Sequence, residues 1–288
     1  MNWIIAAFLM FISSVVMYLL VRYAVRIHIS AGMQNVSMFI IPTFLYIAIA
    51  EIQHIRISLS VYEWIIMIVT AIGFSYLGSR FSMDSIVEAP NPGYSLILSK
   101  SYVVMTAIAS IFLFHQDLNV KSAIAILLIV GFSSLIMIDP RIHQQKAKIK
   151  QSWLPLSLGA FFCWGMLALA SKYLFTLGVS VISRLVWVSG IASLLFAWDV
   201  RKQLSHIAKF TQRQLIVFSV IGILSAAFNY FMQLGISSAP NVGYINAINA
   251  SSISAVTVGA VLLFRDDFSK RKFVGVIGVT VGLILLVI

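Results

Sequence analysis

Ten apolar runs of membrane-spanning length follow one another along this chain of 288 residues. A transmembrane helix needs about 20 mostly apolar residues. The runs lie at 3–21, 35–50, 61–79, 92–114, 121–138, 154–176, 180–198, 214–235, 240–264 and 272–288. They take up most of the sequence and leave no room for a soluble domain. The longest hydrophilic stretches, 139–152 and 199–214, are loop-sized. Composition agrees: 60% of residues are hydrophobic and 10% charged, against about 45–50% and about 25% in soluble domains. A soluble globular enzyme, a disordered chain and a disulfide-stapled secreted domain are therefore excluded. The one cysteine, Cys163, can form no intramolecular disulfide. The expected class is an all-α polytopic membrane protein. Its net charge of +11 sits in short loops, which points to the lipid bilayer and its anionic headgroups as partner and away from nucleic acid. Span 1 reads as a permanent helix. No positive residue precedes it, whereas Arg22 and Arg26 follow.

Lys and Arg in short loops mark the cytoplasmic side. The loops after spans 1, 3, 5, 7 and 9 carry fifteen basic residues, and the opposite side carries Arg56, Lys121, Lys172 and Arg184. With ten spans, this bias places both termini outside the cytoplasm of a multi-pass inner-membrane protein.

The chain also reads as a duplication. Shifted by 150 residues, Ala89-Pro90-Asn91-Pro92-Gly93-Tyr94 falls on Ala239-Pro240-Asn241-Val242-Gly243-Tyr244. In the same register, Trp3 meets Trp153, Phe81 meets Phe231, Ser101 meets Ser251 and Asp117 meets Asp267. The sequence thus divides into a five-span repeat at 1–138, a cytoplasmic linker at 139–152 and a second five-span repeat at 153–288. Five is odd, so the second repeat enters the membrane from the opposite side. Inverted repeats of this kind build many secondary transporters, with the substrate site near the bilayer midplane.

At these residues the chain resembles the ten-helix drug/metabolite transporter (DMT) superfamily, and most of all its EamA-like members. The Ala-Pro-Asn-x-Gly-Tyr starts of spans 4 and 9 carry the resemblance. So do Leu262 to Asp267 with the Gly-rich run that follows, and Cys163-Trp164-Gly165 with Lys172 and Arg184. In the first half Gln34 stands where the arginine would be, and Ser14 and Val15 replace the Trp-Gly pair. The resemblance implies a carrier of small metabolites, often amino acids or related compounds, with a cavity walled by helices 1, 3, 4, 6, 8 and 9.

Several polar residues lie inside the apolar runs. Lys100 sits about 10 Å into span 4 at 1.5 Å per residue. It either snorkels to the headgroups or serves function. No carboxylate is expected at its depth, so a substrate carboxylate or phosphate would suit it. Asn246 and Asn249 share one face of span 9, and Asn229 and Gln233 share one face of span 8. Each either bonds a neighbouring helix or lines a cavity. Tyr94, Trp164 and Tyr230 complete the candidate substrate-binding set. Pro90/Asn91 and Pro240/Asn241 fit helix starts, and in a functional reading they are paired gate hinges. Gly275, Gly278 and Gly282 suit close helix packing, within the fold or in a homodimer.

The histidines at 28, 54, 115, 143 and 206 make no metal-ligand spacing. No cofactor, nucleotide loop or nucleophile elbow is evident, so no enzyme activity is expected. The expected function is alternating-access transport of a small polar metabolite, amino-acid-like or an organic anion, hence anionic or zwitterionic. A proton, another ion or the substrate's own gradient would drive it. A lipid or glycolipid flippase or scramblase is the alternative.

Overall fold

The computed structural model of the chain describes residues 2–89, 92–138, 152–204, 207, 209–265 and 268–288. Its long helices are α1 (Trp3–Arg26), α2 (Ala31–Ile52), α3 (Val61–Glu88), α4 (Gly93–Phe114), α5 (Val120–Met137), α6 (Trp153–Thr176), α7 (Val181–Asp199), α8 (Gln212–Ser238), α9 (Val242–Phe264) and α10 (Lys270–Val287). Among the described residues there is no strand. Nine of these helices are long and apolar enough to cross a membrane. The tenth, α10, opens on Lys270, Arg271 and Lys272 and is apolar from Phe273 onward. The all-α polytopic class is thus the class observed.

Local chemistry starts the helices. Asn2, Ser30, Ser60, Asn119, Ser180, Asn241 and Ser269 each accept a hydrogen bond from a backbone N–H of the first turn, satisfying groups that have no partner within the helix. These punctuation marks recur at the repeat spacing. Ser30 and Ser180 cap α2 and α7, and Asn119 and Ser269 cap α5 and α10. Left-handed residues recur likewise: His28 (φ 62°) with Gly178 (φ 87°), and His115 (φ 51°) with Arg265 (φ 57°).

Two helices differ from the sequence expectation. α3 does not end at residue 79 but runs to Glu88. Arg80, Asp84 and Glu88 lie four apart, on one stripe of a helix surface. The fall in hydropathy therefore hides an amphipathic helical end and not a loop. Within α3, Val69–Tyr76 winds as a π-helix, which no hydropathy pattern reveals. α4 is interrupted at Ser101, between Pro92–Lys100 and Tyr102–Phe114.

The chain folds into two compact units, residues 1–76 with 170–237 and residues 77–169 with 238–288. Each draws on both halves of the sequence. In unit one, Met33 and Val36 of α2 share a core with Ala192 and Phe196 of α7. Tyr46 and Ala50, further along α2, share one with Ile182, Leu185 and Val186. As α2 advances α7 recedes, so the two are antiparallel. In unit two, a Cβ on Gly275 would press on Ile136, one on Gly278 on Phe132, and one on Gly282 on Ile129. Hence α10 runs antiparallel to α5, and its glycine stripe is used for packing inside the unit. α4 and α9 are paired in the same sense: Thr106 faces Asn246, and Gln116 faces Val242.

Burial is sorted by chemistry. Phe44 and Phe112 are 69% and 76% exposed, whereas Arg184, Asn241 and Asn246 are buried. Apolar side chains outside and small or polar groups between helices is the arrangement a hydrocarbon solvent favours.

Candidate functional site

The candidate residues fall in both units. In unit two, α4 and α9 meet through polar groups. Asn246 Nδ2 donates to Thr106 Oγ1 at 2.9 Å, and its Oδ1, fully buried, has no hydrogen-bond partner. Asn241 accepts from Gly243 N at 2.8 Å and donates through Nδ2 to the Ala107 carbonyl at 3.2 Å. It thus caps α9 and anchors it to α4, while Pro240 beside it is exposed. Gln116 completes the join, donating to the Ala239 carbonyl and accepting from Val242 N. The sequence reading of Asn241 as a helix start is what the structure has; Pro90 and Asn91 lie outside the described residues. Asn249 is buried on α9. Trp164 is half-buried on α6, against the backbone of α3 at Gly78.

Lys100 ends the first segment of α4 and lines a small cavity with Ile97, Val130, Ser133, Ser134, Met137 and Ala250. The Ser133 hydroxyl, also buried, has no partner. Lys100 interacts within the protein. Tyr94, on the same segment, is 42% exposed and outside this cavity.

In unit one, Asn229 turns back on its own helix, donating to the Ser225 carbonyl at 2.9 Å. Tyr230 packs on the cluster of Tyr46, Ile182, Leu185 and Val186. Gln233, one turn on, is buried with its Oε1 unpartnered. Lys172 donates to the Ile236 and Ser237 carbonyls at 3.2 and 2.9 Å, closing the C-terminus of α8 as a cation there should. A cavity of about 540 Å³ lies at the start of α7, lined by Arg56, Ser58, Ser60, Glu63, Ser180 and Ser183 among others.

The residue that the sequence reading left out of its site is Arg184. It is 2% exposed, on the first turns of α7. Its position near a span end made it look like a loop cation. The signal that could have found it was the i+150 comparison, which sets it against a neutral Gln34 inside α2. Among the described residues, no cluster of His, Cys, Asp or Glu is placed to hold a metal.

The family model for EamA-like transporters matches residues 151–288. Over these residues the chain is similar to EamA-like transporters. The EamA-like half contains α6–α10, and with them Trp164, Arg184, Gln233, Asn246 and Asn249. The match points to a DMT-type membrane transporter over these residues. No curated protein matches the chain. A solved crystal structure matches with a TM-score of 0.74 and 14% identity, covering 98% of this chain and 97% of its own. At that identity it speaks for the fold, and it does so over both halves, beyond the EamA-like one.

Proposed function

We propose that the chain carries a small anionic or zwitterionic metabolite across the membrane by alternating access between two inverted five-helix repeats. The observation that carries this reading is the antiparallel contact of helices 150 residues apart: α2 with α7, α4 with α9, and α5 with α10. Helices related by an inverted duplication enter from opposite sides, so they must run antiparallel where they touch. Matching caps and left-handed residues at the same offset support it further. Packings related in this way have near-equivalent outward and inward forms, which is what alternating access requires. The charge of the cargo is inferred from the buried cation Arg184, whose Nε has no hydrogen-bond partner.

Proteoliposomes containing the purified protein test the reading. Radiolabelled organic anions and amino acids should enter faster than in empty liposomes, and an excess of unlabelled compound should compete. A fluorescent phospholipid or glycolipid that changes leaflet while no soluble compound moves would replace the carrier with a flippase.

A further inference from the structure

We propose that the Arg184 guanidinium is the oxyanion-recognition group of unit one, receiving a carboxylate or phosphoryl oxygen of the ligand. That this ligand is cargo rests on the carrier reading above.

A cation buried in a membrane span is costly unless it is paired and hydrogen-bonded. Arg184 is 2% exposed and its Nε has no hydrogen-bond partner. The Tyr46 phenol, packed with Ile182, Leu185 and Val186, already donates its proton to the Ala226 carbonyl at 2.7 Å. Lys172, in the same unit, shows what a structural cation looks like: two helix-terminal carbonyls take its charge.

The repeat sharpens the contrast. The equivalent residue of the first half, Gln34, is neutral, buried and satisfied, donating to the Ile29 carbonyl at 2.9 Å. The helix-packing position therefore does not itself call for a charge. In addition, the unpartnered Gln233 Oε1 lies one turn beyond Tyr230, which packs on the cluster holding Ile182, Leu185 and Val186 around Arg184. A vacant donor and a vacant acceptor are both buried in this unit. The planar guanidinium fork matches two oxygens of a carboxylate or phosphate, and a bound oxyanion supplies the missing countercharge.

The test uses the purified full-length chain as wild type, Arg184→Gln and Arg184→Lys. The glutamine is the residue the chain itself places at the equivalent site. Succinate, glutamate and inorganic phosphate are the soluble probes, and phosphatidylglycerol against phosphatidylcholine nanodiscs is the lipid arm. At least one anion should raise the wild-type unfolding temperature in a concentration-dependent way. Arg184→Gln should weaken its Kd by about tenfold or more, with Arg184→Lys in between. Without ligand, Arg184→Gln should unfold at a higher temperature than wild type, because an uncompensated buried charge is gone. Stabilisation by phosphatidylglycerol alone, lost in Arg184→Gln, would keep the oxyanion site and make lipid its source. An unchanged Kd in Arg184→Gln, or no response of wild type to any anion, overturns the proposal. If Arg184→Gln does not fold, an unchanged Kd in Arg184→Lys overturns forked recognition. Uptake without Arg184-dependent binding sinks this inference and leaves the carrier reading. Arg184-dependent binding without uptake of any probe does the reverse.

Discussion

At the scale of single residues, polar groups inside this protein divide by whether a neighbouring helix answers them. Asn241 is answered twice, by Gly243 N and by the Ala107 carbonyl. Asn246 is answered once, by Thr106, and Arg184 Nε not at all. The first two are therefore expected to show in stability. Asn246→Ala should destabilise the detergent-purified protein by about 0.6 kcal/mol, and by no more than about 1.7. The effect should shrink toward zero in a Thr106→Val background, because the bond is already gone. Two thermal unfolding series and their double-mutant cycle measure it; full additivity would mean that the bond contributes nothing. Asn241→Ala should cost more, about 0.5–2 kcal/mol from the cap alone, since its side chain also ties α9 to α4.

At the scale of elements, α5 and α10 meet along backbone that only glycine permits. A Cβ on Gly278 would lie 2.1 Å from the Phe132 ring. Gly278→Leu should therefore lower stability by about 1–3 kcal/mol or more, and Phe132→Ala should recover part of the loss in thermal unfolding. A second element-scale prediction concerns α3. Deleting Gly73 from the π-helical stretch turns the rest of the helix by about 100°. Gly78 would leave Cys163 and Phe81 would leave Gly159, contacts that a Cβ would bring within 2.8 Å. Loss of a monodisperse peak in size-exclusion chromatography is the expected result, and a variant that purifies with wild-type stability would contradict it.

At the scale of the molecule, the loops that carry most Lys and Arg follow α1, α3, α5, α7 and α9. The positive-inside rule puts those loops in the cytoplasm. A C-terminal green fluorescent protein fusion should then be dark and a C-terminal alkaline phosphatase fusion active. A bright fluorescent fusion would overturn either the orientation or the count of ten spans. The two compact units belong to this scale as well. Their boundaries, 76/77, 169/170 and 237/238, fall inside or at the ends of long helices. No composition shift marks them.

What the sequence determined by itself is the class, the order of the apolar runs and the 150-residue register between the halves. Each of these is written in local chemistry: apolar runs of bilayer length, caps such as Ser30 and Ser180, and a Pro-Asn-Gly cluster repeated at a fixed offset. What only the tertiary structure decided is which polar side chains are satisfied. Lys100 and Arg184 look alike in a hydropathy profile, both single cations within apolar runs. Pairing is a property of neighbours that are distant along the chain. Lys172 finds its carbonyls 64 and 65 residues away, and Asn246 finds Thr106 140 residues away. The helical continuation of α3 was hidden for a related reason. Its charged stripe faces outward, and an average over consecutive residues cannot separate the two faces of a helix.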